Sequence, residues 1–198
     1  NQLYQAAIER APPFLQAVDR RDAAEAHRLL LEDPDNARLV EEVTGYTALI
    51  FAAALGDAEM MRLVLDAPGT AVNQADAVGN TALSFASVNG HAACVRLLLA
   101  VPDIDVNRAS MWGGTALMLA ADQGHLSSAR LLLTATTSDI TLRDEDGETA
   151  RDMATRLGRK PIVRALDAFA KAPKAALDAF AKAPKAKLEA LDIESARA

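Results

Sequence analysis

Apolar positions recur along the chain in short helical blocks separated by polar turns. Between Gly79 and Asn107 the order is a turn, the block Thr81-Ala82-Leu83-Ser84-Phe85-Ala86-Ser87-Val88, the stop Asn89-Gly90, a second block from His91 to Ala100, and the extended exit Asp105-Val106-Asn107. Thr81 stands where its hydroxyl can cap a helix over the first block. Gly90 supplies the left-handed conformation that commonly follows a helix C-terminus. Val95, Leu98 and Leu99 share one face of a second amphipathic helix. Two helices of about eight to ten residues do not hold together alone, because most helical stability comes from burying the amphipathic face. The pattern therefore predicts a stack of similar units.

The chain supplies them. Thr47, Thr81, Thr115 and Thr149 follow one another at a constant step of thirty-four positions, and so do Gly45, Gly79, Gly113 and Gly147. Gly56, Gly90, Gly124 and Gly158 keep the same step, as do Leu63, Leu97 and Leu131, and Val72, Val106 and Ile140. A fixed period of this size marks a stacked repeat array. The motif G-x-T-A-L-x-x-A-A-x-x-G-H, then L-L-L, then D-V-N resembles the ankyrin repeat, whereas the Trp-x2-Leu-Gly-x2-Tyr pattern of tetratricopeptide repeats is absent. The resemblance implies an all-α solenoid of helix-turn-helix units with short hairpin-like fingers. The family's T-P-L-H is here Thr47-Ala48-Leu49-Ile50, Thr81-Ala82-Leu83-Ser84 and Thr115-Ala116-Leu117-Met118. Losing the Pro removes a pre-set helix start and losing the His removes a hydrogen-bond hub, so a looser array than an idealised one is expected.

In chain order, residues 1–11 read as an N-terminal helix before Pro12-Pro13. The ankyrin-like domain covers 12–170: a degenerate first repeat at 12–43, full repeats at 44–77, 78–111 and 112–145, and a closing cap at 146–170 that carries Arg151-Asp152 where other repeats are apolar. Divergent end repeats are expected where the outer face meets water. Residues 171–198 form a Lys/Ala/Pro tail with a Pro-kinked helical pattern. Residues 165–175, A-L-D-A-F-A-K-A-P-K-A, are repeated without change at 176–186; Leu166 follows Thr149 at the same step as Leu98 follows Thr81 and Leu132 follows Thr115, so the first copy reads as the end of the cap helix. Leu166/Phe169, Leu177/Phe180 and Leu188/Leu191 are i,i+3 apolar pairs. They are candidate docking pairs, either on a partner or back on the array, against the alternative of a solvated linker.

Composition narrows the chemistry. The chain is 51% apolar but only 4% aromatic, which suits closely stacked small helices. No run approaches the roughly 18 apolar residues of a membrane span. A single cysteine, Cys94, excludes an internal disulfide framework and a clustered zinc site. Charge is split: residues 159–198 hold nine Lys/Arg against five Asp/Glu, and residues 1–158 hold twelve against twenty-two. A net of +4 without aromatic or Arg interleaving is a thin nucleic-acid footprint, and the acidic array repels phosphate. Residues 1–20 do not resemble an intact signal peptide. The cytoplasm is the expected compartment, with an organelle matrix as the alternative if a targeting segment has been removed.

No phosphate loop, H-E-x-x-H, G-x-S-x-G or calcium loop is present. His91 and His125 open outer helices, a structural position in the family, and His27 lies on a helix of the first repeat. Leu99, five residues, then Asp105-Val106-Asn107 resembles the family's asparagine-hydroxylation pattern, which is also simply a well-formed loop. No cofactor, metal or small-molecule substrate is expected, and no catalytic residue.

The ankyrin resemblance implies instead a protein-binding concave groove lined by fingers and inner helices. Carried over repeat by repeat, its positions are Val43, Thr44, Tyr46 and Leu55; Val78, Asn80, Val88 and Asn89; Met111, Trp112, Asp122 and Gln123; and Glu148 in the cap. Trp112, the sole Trp, sits on a finger, where a large aromatic can be a binding hot spot. The expected function is non-enzymatic protein binding. The alternative is a structural subunit of a larger assembly, with its tail docked on neighbours.

Overall fold

The computed structural model describes residues 8–171 apart from residue 136. After a helical turn at 8–10, ten α-helices follow in pairs. These are α1 Pro13–Asp19 with α2 Ala23–Glu32, α3 Ala48–Leu55 with α4 Ala58–Asp66, α5 Ala82–Val88 with α6 Ala92–Leu99, α7 Ala116–Gln123 with α8 Leu126–Thr134, and α9 Ala150–Arg156 with α10 Lys160–Lys171. A 3-10 turn, Pro34–Arg38, closes the first unit. The β-bridges among the described residues are the isolated pairs Val40–Thr47, Ala75–Thr81 and Ala109–Thr115, which close three fingers. No described helix is long and apolar enough to cross a membrane.

Each inner helix from α3 onward begins where a Thr hydroxyl accepts the backbone N–H three residues on. The pairs are Thr47 with Ile50, Thr81 with Ser84, Thr115 with Met118 and Thr149 with Asp152, at 3.2–3.4 Å. A Thr cap satisfies one of the orphan donors of a helix N-terminus and is worth about 1 kcal/mol. Asp22 and Asp57 cap the outer helices α2 and α4 in the same way.

Packing runs between neighbours. Inner helices α1, α3, α5, α7 and α9 stack in one row and outer helices α2, α4, α6, α8 and α10 in another. The core between the rows is built from small residues with a few larger ones: Ala52, Ala53, Ala86, Ala120, Ala121 and Ala154 let helices approach, while Met60, Leu83, Leu98, Leu132 and Ile162 fill the space behind. The row closes at α10. Ile162 and Leu166 are buried, and Arg151 on the outward side of α9 pairs with Asp167 at 2.6 Å.

Histidines tie the repeats together. His91 Nε2 lies 3.3 Å from the Ala54 carbonyl oxygen and His125 Nε2 lies 3.1 Å from that of Val88, each at the end of the preceding inner helix. Arg159 does the same in the cap, donating to the Asp122 carbonyl at 3.1 Å. Arg21, in the left-handed conformation that Gly holds in later repeats, donates to the Leu55 carbonyl at 2.8 Å. A second staple runs along the loops. Asn73 donates to the Asp103 carbonyl and accepts from Asp105 N–H, and Asn107 repeats the arrangement with Thr137 and Asp139. Asn107, the residue of the hydroxylation-like pattern, thus has both ends of its amide engaged between repeats.

Candidate functional site

The fingers stand side by side as a ladder. Ala77 N–H donates to the Thr44 carbonyl, Met111 N–H to that of Val78, and Glu145 N–H to that of Trp112, at 2.9–3.1 Å. Within fingers, an acidic side chain usually clamps the turn. Asp76 accepts from the N–H groups of Val78 and Asn80, and Asp144 from those of Asp146 and Glu148. The first finger is one residue longer, closing between Val40 and Thr47 where the next closes between Ala75 and Thr81. The longer side chain of Glu41 spans it. Glu41 is buried and accepts from Val43 N–H, Thr44 N–H and the Thr44 hydroxyl. Burial works against its charge, but these three donors outweigh it and hold the carboxyl below its usual range.

The third finger differs. Ser110 occupies the position of Asp76 and Asp144, and its hydroxyl makes no clamp to the turn; Gly113 and Gly114 follow. This least-fastened finger carries two neighbouring exposed apolar side chains, Met111 at 67% and Trp112 at 49%, in line with Val43 at 69% on the first finger. Beyond them the ladder turns acidic. Glu145 and Asp146 are exposed at the tip of the fourth finger, Asp144 and Glu148 stand at its base, and Asp122 lies at the end of α7. Arg156 is held by a two-pronged contact to Glu148, whose carboxyl it keeps below its ordinary range.

The inner helices open one stripe to the groove. In α5 the side chains left unburied are Phe85 and Val88, and in α7 they are Leu119, Asp122 and Gln123. Phe85 and Leu119 stand one repeat apart, in register with buried Phe51 and half-buried Met153. Tyr46 packs edge-on against both Phe51 and Phe85, at ring-centroid distances of 5.3 and 5.1 Å, so an aromatic cluster bridges two repeats at this end of the stripe. Burial, then the nearby Asp76 charge, raises the Tyr46 phenol above its usual value.

The structure sorts the residues expected in the groove. Val43, Met111 and Trp112 stand free at the fingertips, with Asn89 and Gln123 exposed at the ends of α5 and α7. Val78 on the second finger and Val88, Leu55 and Asp122 on the inner helices are half-buried. Thr44, Tyr46, Asn80 and Glu148 are engaged internally: Thr44 by Glu41, Tyr46 between two rings, Asn80 through its backbone to Asp76, and Glu148 by Arg156. Leu166 is only 1% exposed, and Phe169 packs on the array core. Of the two places open to this pair, a partner or the array itself, the structure puts it on the array, with Leu166 buried and Phe169 half-buried in the cap. Leu177, Phe180, Leu188 and Leu191 lie outside the described residues. Sequence reading missed Glu41, Phe85 and Leu119. The repeat step from Phe51 through Leu119 was the available signal for the last two.

Elsewhere the molecule offers little chemistry. No group of three or more His, Cys, Asp or Glu side chains able to hold a metal ion occurs among the described residues. Cys94 is buried, and desolvation pushes its thiol up to about 11, which suppresses the reactive thiolate.

Family models for ankyrin repeats match the chain across its helical pairs: one described as ankyrin repeats in three copies over residues 14–110, and one as ankyrin repeats in many copies over residues 103–154. The chain belongs to the ankyrin-repeat family. No curated protein matches it. Ankyrin repeats are generally protein–protein interaction modules, and proteins built from them are typically non-enzymatic. The ankyrin array described above is thus a row of helical pairs presenting a ladder of fingers, with its apolar side chains at Val43 and Met111-Trp112 and its acids at the cap end.

Proposed function

We propose that this ankyrin array is a non-enzymatic binding protein that grips a partner protein through its fingers and concave stripe, with Trp112 as the anchor. The observation that carries the reading is the half-exposed Trp112 beside exposed Met111 on the one described finger that lacks a side-chain clamp. Large exposed aromatics dominate many interfaces, and apolar surface left open on an otherwise well-packed protein generally marks a contact site. Phe85, Val88 and Leu119 add half-buried apolar surface along the stripe. The acids of the fourth finger favour a partner that offers Lys or Arg beside its apolar contact. The acidic array disfavours nucleic acid.

Capture with the full chain tests this. Wild type is expected to retain a stoichiometric protein that Trp112→Ala loses, whereas Arg130→Ala, on the exposed side of α8, retains it. Identical retained proteins for wild type and Trp112→Ala would sink the reading.

A further inference from the structure

The tail repeats a surface whose seat in the array is already taken. In the first copy of the duplicated tail unit, Leu166 is buried, Phe169 packs on the core and Asp167 pairs with Arg151. The second copy carries the same spacing at Leu177, Asp178 and Phe180, followed by Lys182, Lys185 and Lys187, with Lys174 before it. Its apolar pair needs another surface. An open apolar pair, Met111 and Trp112, stands on the third finger one repeat from the cap, with the acidic fourth finger between.

Geometry puts the tail's departure point at that edge. The Arg151–Asp167 pair sets the C-terminal part of α10 beside the first turn of α9, just after Thr149 ends the fourth finger. α10 ends at Lys171. The six residues from Lys171 to Leu177 reach about 20 Å when extended, and packed helices lie about 10 Å apart. That span equals about two such spacings, one from the outer row to the inner row and one along the array by a repeat. Five lysines, Lys171, Lys174, Lys182, Lys185 and Lys187, stand against one acid, Asp178, over residues 171–187. They complement Glu145, Asp146, Asp144 and Asp122 on the route, where the opposing charges are Arg143, which donates to the Gly147 carbonyl and faces Asp152, and Arg156, held by Glu148.

We propose that residues 174–187 of this same chain occupy the groove at Met111-Trp112, with Leu177 and Phe180 on the finger and the lysines on the acids of the cap end, so that the tail competes with the partner. This rests on the reading of the groove as a binding surface. A short tether gives an effective concentration on the order of 1 mM, so a segment that binds with a dissociation constant of about 0.1 mM fills the groove about nine-tenths of the time.

Trp112 is the only Trp in the chain, so its fluorescence reports this site alone. Acrylamide quenching of the full chain is compared with that of Leu177→Ala/Phe180→Ala, with circular dichroism confirming an unchanged array. We expect quenching in the variant to rise about two-fold as the nine-tenths occupancy is lost. High salt should raise it partway in wild type, and a synthetic peptide of residues 172–187 should restore protection to the variant where the same peptide with both substitutions does not. Equal quenching in the two chains overturns the proposal. Protection that grows with protein concentration also overturns it, because the occupant is then a second copy. The two readings separate cleanly. If quenching is unchanged while Trp112→Ala still loses a captured partner, only the tail proposal falls. If no partner is captured but the peptide still protects Trp112, only the partner reading falls.

Discussion

Gly90 and His125 share one space at the junction of two repeats. A β-carbon on Gly90 would fall 2.5 Å from His125 Nδ1, and the Nε2 of the same ring lies 3.1 Å from the Val88 carbonyl oxygen. Gly90 also holds a φ of +73°, which costs other residues about 1–2 kcal/mol. Two separate penalties therefore fall on a side chain there. Gly158 has a similar φ of +68° but open space around its missing β-carbon. Gly158→Ala should cost about 1 kcal/mol from backbone strain alone. Gly90→Ala should cost about 1–3 kcal/mol more, as the ring is displaced and its hydrogen bond lost. Urea denaturation of both variants measures the difference; equal losses would show that the shared space carries no energy.

Glu41 predicts a pH dependence. Its folded carboxyl lies below the ordinary value of 4.5 because the donors of its own finger outweigh burial. A group with a lowered folded value adds stability above its unfolded value, and that stability is lost as pH falls from about 4.5 toward and through the folded value. Glu41→Gln keeps the shape but supplies one acceptor oxygen where three donors converge. It should cost about 1–2 kcal/mol at pH 7, an allowance reduced for the finger's contact with solvent. The gap between wild type and variant should narrow at pH 3. Denaturation midpoints that differ equally at both pH values would contradict the assignment.

The helical pairs were legible in the sequence because their anchors are local: a Thr that caps, a Gly that turns, and one buried Leu or Val in the outer helix, at Leu30, Val64, Leu98, Leu132 and Leu166. Each recurs along the array and needs no partner to be identified. The groove was legible only in part. The period shows which positions correspond but not which side of a helix its neighbours cover, so the stripe through Phe85 and Leu119 emerges only once α3, α5 and α7 are stacked. Glu41 was hidden by its neighbour Glu42, which holds the repeat register with Asp76; the extra residue of the first finger moves the clamp back by one. Leu166 was legible for the same reason as the helical pairs: it follows Thr149 at the step by which Leu98 follows Thr81 and Leu132 follows Thr115, and all three are buried.

Two hydroxyls are buried at some cost. Ser87 on α5 and Ser128 on α8 are both fully buried, and neither Oγ has a hydrogen-bond partner among the described residues. Corresponding positions one repeat away hold Ala53 and Ala121 in one case and Cys94 in the other. A buried hydroxyl without a partner costs about 1–3 kcal/mol. Ser87→Ala and Ser128→Ala should each raise stability by about 1 kcal/mol, less the small void left by the lost oxygen. A thermal midpoint that rises for both supports this, and a fall would show that these hydroxyls find acceptors in solution.

The third finger carries the anchor and is the least fastened, and the neighbouring fingers show what would fasten it. Asp76 and Asp144 sit one repeat to either side of Ser110, and each clamps the N–H groups two and four positions further on. Ser110→Asp should bring the same clamp to Trp112 N–H and Gly114 N–H. A net gain of about 1 kcal/mol is expected from the added charge-assisted bonds. Slower hydrogen exchange at those two amides, with no change at Val78 or Asp146, would report the clamp directly. If the loose finger adapts to its ligand, the same variant should bind the peptide of residues 172–187 differently from wild type in the Trp112 fluorescence assay, because a pre-set tip spends less on ordering but fits fewer shapes. Unchanged exchange at Trp112 would show that the turn is already held as firmly as its neighbours by the backbone alone.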